Sequence, residues 1–266
     1  MRLTVNNEET FVSTGGKPFD ASGTVLLFIH GSGQSHLSWV LQARFFANRG
    51  WSVLAPDLPG HGLSGGEAIT SVEGVADWCI DLLDTAGVET AIVIGHSQGG
   101  LVGLDLTSRH SGRVERLAII ASALAIPVTE GLLALAENDE QQAISAMVSN
   151  SHSGTGHRHD HTMPGQSHML YGEQVMGRNR PGVLLNDLNA CNNYTRGPDA
   201  AAAIDCPTLC ILAGRDRMVP TRSGLAMTET IKDCQHVVIP DSGHFVQSEY
   251  SVETNTALRP FFLSTS

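Results

Sequence analysis

The stretch VIGHSQGGL, from Val93 to Leu101, sets a single serine, Ser97, between Gly95 and Gly99. A serine hydroxyl is a weak nucleophile at neutral pH, so chemistry at Ser97 needs a base to take its proton and a third group to orient that base. Two later loops carry residues of the right types: Asp216 in AGRDRMVP and His244 in PDSGHF. Acyl transfer, with the chain order serine, acid, histidine, is the chemistry this set supports. Other acids compete for the orienting role. Asp241 is close in sequence to His244 but suits a turn, while Asp57 and Asp105 come earlier than that order requires. His96 adjoins Ser97, yet successive positions in a turn point apart, so it reads as packing or support. A carbonyl oxygen that gains charge also needs N–H donors. The candidates are the backbone of Gln98, opening the next helix, and of Ser32 in the run HGSG (His30 to Gly33), with Gly33 as the alternative.

A GxSxG pentapeptide is a weak signal alone, and its force comes from the elements around it. Thr24 to Ile29 and Thr90 to Ile94 read as continuous apolar strands, as do Trp51 to Ala55 and Arg116 to Ala121. Helices are expected from about His36 to Asn48, Ser71 to Thr85 and Gln98 to Arg109, with PDLPGHGLSGG (Pro56 to Gly66) as loop. Buried strands alternating with helices imply an α/β fold with a mostly parallel central sheet and helices on both faces. The rhythm breaks between about Leu124 and Asp205, where helical patches such as Glu130 to Val148 occur without a clear strand. It resumes with strand Pro207 to Ala213, helix Ser223 to Ile231, strand Gln235 to Ile239 and a closing helix from about Ser248 to Leu263. We therefore expect a core in two parts, 1–123 and 206–266, with a helical cap inserted at 124–205. Ser97, Asp216 and His244 would then all sit at the carboxyl ends of strands, on one edge of the sheet.

The 266 residues, 41% of them hydrophobic, are enough for a large core. A formal net charge of −11 disfavours nucleic acid and anionic membranes as partners and leaves a small uncharged or weakly polar acyl substrate as the expected ligand. No apolar run approaches the roughly 20 residues that span a bilayer, and the polar opening MRLTVNNEET lacks a signal-peptide pattern, so a cytoplasmic location is expected. Five cysteines with no CxxC pair suggest reduced thiols. Cys206 and Cys210, if on one strand, would stand roughly 13 Å apart, beyond disulfide reach.

HGSG at 30–33, PDLPGHGLS at 56–64, GHSQGG at 95–100, GRDRMVP at 214–220 and DSGH at 241–244 together resemble the α/β-hydrolase superfamily. The likeness is nearest to its small capped bacterial esterases, cofactor-free haloperoxidase-like proteins and carbon–carbon bond hydrolases. It spans nearly all of the chain except the cap. The resemblance implies a Ser97–His244–Asp216 triad, oxyanion donors at Ser32 and Gln98, and no cofactor. Carboxylic-ester hydrolysis is the leading expectation, with carbon–carbon cleavage of a vinylogous diketone or a ligand receptor on the same fold as alternatives. Dehalogenase and epoxide hydrolase relatives carry aspartate where this chain has Ser97. Trp39 is expected in the core or a pocket wall, and the cap arginines Arg158, Arg178, Arg180 and Arg196 at the surface.

The segment SHSGTGHRHDHTMPGQSHM, Ser151 to Met169, contains His152, His157, His159, His161 and His168. Alternate histidines with Asp160 nearby could bind zinc, but serine hydrolase chemistry needs no metal. A polar surface loop or a substrate-contacting part of the cap is the expected role.

Overall fold

The computed structural model describes residues 1–154 and 167–263. Its strands are β1 (Arg2–Val5), β2 (Glu8–Ser13), β3 (Val25–Ile29), β4 (Ser52–Pro56), β5 (Ala91–His96), β6 (Val114–Ile120), β7 (Thr208–Ala213) and β8 (Gln235–Ile239). They form one sheet in the order β1-β2-β4-β3-β5-β6-β7-β8. The pairs β1–β2 and β2–β4 are antiparallel, and every pair from β4 to β8 is parallel. The expected α/β class and mostly parallel sheet are therefore what the chain adopts.

Three α-helices precede β6: α1 (Val40–Ala47), α2 (Val72–Thr85) and α3 (Gln98–Arg109). Between β6 and β7 lie α4 (Glu130–Asn138), α5 (Glu140–Ser151), α6 (His168–Met176), α7 (Val183–Asn193) and α8 (Gly197–Ala202). Then come α9 (Thr221–Thr230), α10 (Val246–Glu249) and α11 (Ser251–Leu263).

Continuous apolar strands make sense here because both faces are covered. Leu27, Ile29 and Val93 pack with Val75 and Leu82 of α2 on one side, while Leu26, Phe28 and Ile94 pack with Phe46 of α1 and Leu258 of α11 on the other. Full burial of each such side chain contributes about 1.5–3 kcal/mol, so the rigidity of the strand ends rests on this double core. The β6–β7 insertion has its own apolar cluster, which includes Ile144, Val148, Leu184 and Leu188 and reaches Phe245 beside His244.

Several expectations needed correction. The β1–β2 hairpin was not foreseen; it turns on Asn6 and Asn7, with φ of 51° and 67°. The helical patch from Glu130 to Val148 is two helices, because the Asp139 side chain caps the second by accepting from Gln142 N–H at 3.0 Å. The closing helix is likewise divided, at Tyr250. Cys210 lies in β7 and Cys206 before it; all five cysteines are free, and Cys210 Sγ stands 3.5 Å from Cys234 Sγ. No helix among the described residues is long and apolar enough to cross a membrane.

Candidate active site

Ser97 joins β5 to α3 with φ 55° and ψ −118°, a backbone conformation that non-glycine residues rarely adopt. Packing imposes it. A Cβ on Gly95 would lie 2.0 Å from Gly99 O, and one on Gly99 would lie 2.2 Å from Ile29 O, so only glycines let α3 approach the sheet this closely. The turn is held on both sides: Ser97 N–H donates to Ile120 O at 3.0 Å, and Ser122 Oγ–H donates to Ser97 O at 2.8 Å.

His244 follows β8, and Asp216 follows β7. The His244 Nδ1 to Asp216 Oδ2 distance is 2.8 Å, with side-chain exposures of 6% and 1%. Met218 and Val219 N–H both donate to Asp216 Oδ1 at 2.8 Å, which leaves Oδ2 for the imidazole. A carboxylate accepts, so His244 Nδ1 donates to Asp216, and Nε2 is the nitrogen turned away from it. Ser97 and His244 line the same cavity, of about 500 Å³. His96 supports this arrangement from below, its Nε2 donating to His244 O at 2.9 Å. Burial, and then the neighbouring His244, push the His96 pKa well below the usual histidine value, which keeps its ring neutral. The competing acids are engaged elsewhere. Asp241 forms an exposed pair with Arg215 at 2.6 Å, Asp57 holds His36 and Leu63 N–H, and Asp105 holds Arg109 and Arg196.

On the opposite wall, the HGSG loop abuts the serine, since a Cβ on Gly31 would stand 3.2 Å from Ser97 Cβ. The first helical hydrogen bonds of α3 run from Gly100 and Leu101 N–H to Ser97 O, so Gln98 N–H precedes the ladder. Ser32 lines the cavity. Gly33 N–H, in contrast, donates to Asp187 Oδ2 at 2.8 Å, which excludes the alternative donor. Asp187 belongs to α7 and also contacts His61 Nε2 at 2.8 Å.

The cavity is roofed by Ile126, Val128, Leu132, Leu135 and Leu188 of the insertion, with Phe245 from the core. Among the described residues that line it, Arg217 is the only Lys or Arg and there is no Asp or Glu. Sequence reasoning did not single out Arg217, although it directly follows Asp216. It also missed Asp187 and His61; His61 was visible only as part of a loop. Trp39 is buried against Phe28, with ring centroids 5.1 Å apart, and is absent from the cavity wall. Of the insertion arginines, Arg196 pairs with Asp105 and Arg180 donates to Gly66 O at 2.8 Å. Arg178 is exposed.

His152 and His168 are buried rather than surface-facing, and His152 Nδ1 donates to Val148 O at 2.8 Å. Arg158 and the proposed ligands His157, His159, Asp160 and His161 lie outside the described residues. Among the described residues, no group of three His, Cys, Asp or Glu could hold a metal ion.

The sequence pattern of the alpha/beta hydrolase family matches residues 26–257. A pimeloyl-[acyl-carrier protein] methyl ester esterase of Neisseria meningitidis is 29% identical over 230 residues, covering 81% of this chain and 84% of that protein. A 2-hydroxymuconate semialdehyde hydrolase of Pseudomonas putida is 26% identical over 245 residues, covering 86% and 83%. The crystal structure of an enol-lactonase from Burkholderia xenovorans superposes with a TM-score of 0.88 at 20% identity, covering 99% of this chain and all of that one, a likeness of fold. With its sheet order, its strand-to-helix serine and this match over most of its length, the chain belongs to the α/β-hydrolase family and is a hydrolase.

Proposed function

We propose that the chain is a serine hydrolase that cleaves a carboxylic ester or related small acyl compound through Ser97, His244 and Asp216. One observation carries this reading: Ser97, in its strained turn, shares a cavity with a histidine whose other nitrogen is bound to a buried carboxylate at 2.8 Å. His244 Nε2 takes the Ser97 Oγ proton as Oγ attacks the substrate carbonyl. Asp216 keeps the imidazole in the productive tautomer and stabilises its charged form. The N–H groups of Ser32 and Gln98 receive the oxyanion, a contribution of several kcal/mol in comparable sites. His244 returns the proton to the leaving alcohol, then activates the water that breaks the acyl-enzyme. No cofactor or metal enters these steps.

The insertion, residues 124–205 in this reading, acts as the cap. Its aliphatic roof suits an apolar acyl chain. Ester cleavage is favoured by the methyl ester esterase, which aligns over 84% of its length. Carbon–carbon hydrolysis is a second reading, supported by the 2-hydroxymuconate semialdehyde hydrolases among the relatives. A panel of p-nitrophenyl esters of increasing acyl length, run beside a vinylogous diketone, tests both. Turnover of the esters that is lost in Ser97→Ala supports the first. Turnover of the diketone alone replaces it with the second.

A further inference from the structure

Helix α7 turns one face toward the loop that carries the Ser32 donor. Leu184, Asp187 and Cys191 recur at helical spacing, and each meets that loop. A Cβ on Gly33 would stand 3.0 Å from Leu184 Cδ1, Asp187 Oδ2 accepts from Gly33 N–H at 2.8 Å, and Cys191 Sγ lies 3.5 Å from Ser32 Oγ. The backbone carbonyl of Asp187 also receives Gln98 Nε2 at 3.4 Å. One residue of the insertion therefore reaches both segments proposed to hold the oxyanion.

Asp187 is itself fixed. His61 Nε2 lies 2.8 Å from Asp187 Oδ2, while His61 Nδ1 lies 2.9 Å from Pro59 O. A carbonyl and a carboxylate both accept, so His61 must donate from both nitrogens and is an imidazolium. The side chains are 2% and 4% exposed, which seals the pair from water. Gly33 has φ of 66°, and its amide belongs to the peptide that follows Ser32, so the bond to Asp187 sets the orientation of the loop at the donor.

We propose that Asp187, anchored by His61, is a positioning residue that holds the Ser32 oxyanion donor in place from the insertion. The insertion then takes part in the chemistry as well as in substrate choice. This inference rests on the serine hydrolase reading above, and its test is separable from it.

The test compares Asp187→Ala, Asp187→Asn and the double variant Asp187→Leu/His61→Phe, using p-nitrophenyl acetate turnover, thermal melting and the Kd of phenylboronic acid. The boronate forms a tetrahedral adduct with the serine and places an oxygen where the oxyanion would sit. Removal of one oxyanion donor typically costs about 10²–10³ in kcat, and a displaced donor approaches that loss. Asp187→Ala is expected to lose kcat by roughly tenfold to a hundredfold with KM nearly unchanged, and to bind the boronate more weakly by a similar factor. Asp187→Asn, which keeps an acceptor oxygen for Gly33 N–H, is expected to recover most of the kcat. The double variant removes both buried partners together, so it is expected to melt near the wild type yet remain slow. That pairing of restored stability with unrestored rate distinguishes positioning from a purely structural role. Wild-type kcat and boronate affinity in the double variant, or a loss confined to KM, would overturn the proposal. Undiminished turnover in Ser97→Ala would instead overturn the underlying reading, whatever the Asp187 variants do.

Discussion

Asp216–His244 and Asp187–His61 are each closed by a carboxylate-to-ring contact of 2.8 Å, and each pair is almost wholly buried. They differ at the second ring nitrogen. In His61 it is bound to Pro59 O, so the ring is doubly donating and cannot accept a proton. His244 instead lines the cavity together with Ser97, where its second nitrogen is the one proposed to take the serine proton. An Asp–His contact is thus not itself a sign of acid–base work. What decides the role is whether the far nitrogen faces an acceptor or a proton to be taken.

The largest expected effect removes the partner that makes the first pair different. Ser97→Ala should lower p-nitrophenyl acetate turnover by about three orders of magnitude or more while leaving the melting temperature within a few degrees. Initial rates beside a thermal melt check this.

Next come the two acids, with opposite signatures. Asp216→Asn should lower kcat by about 10²–10⁴ because the amide favours the wrong tautomer, with Asp241→Asn within about twofold of wild type. Asp187→Asn should mainly lose stability, on the order of 1–3 kcal/mol in denaturant unfolding, because the His61 imidazolium loses its counter-charge. The reverse ranking of Asp216 and Asp241 would move the orienting acid to Asp241.

A smaller effect distinguishes the pairs by pH. Burial opposes the charged form of His61, but the charge and hydrogen bond of Asp187 outweigh it and raise the pKa above the usual histidine value. Burial likewise opposes the Asp187 carboxylate, and His61 with Gly33 N–H outweighs that and lowers its pKa. Asp57 also raises the pKa of His61, and burial followed by His61 lowers the pKa of His30 to about 4. A raised His61 pKa contributes stability that is complete below about 6.5 and is lost as pH rises through the raised value. The stability of wild type relative to Asp187→Leu/His61→Phe should therefore fall as pH is raised from about 6.5, as read by melting both proteins at a series of pH values. A constant difference across that range would contradict the imidazolium.

The smallest effect concerns the His-rich segment. Replacing His157, His159 and His161 together with Ala should alter KM or acyl-length preference while largely sparing kcat on p-nitrophenyl acetate, and EDTA should leave the rate unchanged. Loss of activity on chelation, restored by zinc, would contradict this.

The candidate residues Ser97, Gln98, Asp216 and His244 could be placed from the sequence because each follows a strand that a continuous apolar run announces. The parallel sheet was legible for the same reason. The N-terminal hairpin was not, since β1 and β2 are short, polar and half exposed; its one signal was the Asn6-Asn7 pair, which favours a tight turn. Asp139 likewise marked the break between α4 and α5 as a capping residue. Asp187 could not have been found this way. Its partners His61 and Gly33 are 126 and 154 positions distant, and only tertiary packing brings them together. Arg217 adjoins the candidate Asp216, but nothing in its sequence neighbours reveals that it borders the cavity.

Whether Ser97 is the nucleophile is read from the mass of the protein after reaction with a fluorophosphonate, followed by peptide mapping. One adduct per chain is expected, located on Ser97, absent in Ser97→Ala and much slower to form in His244→Ala. An adduct on another serine, or undiminished labelling of the Ser97→Ala protein, would contradict it.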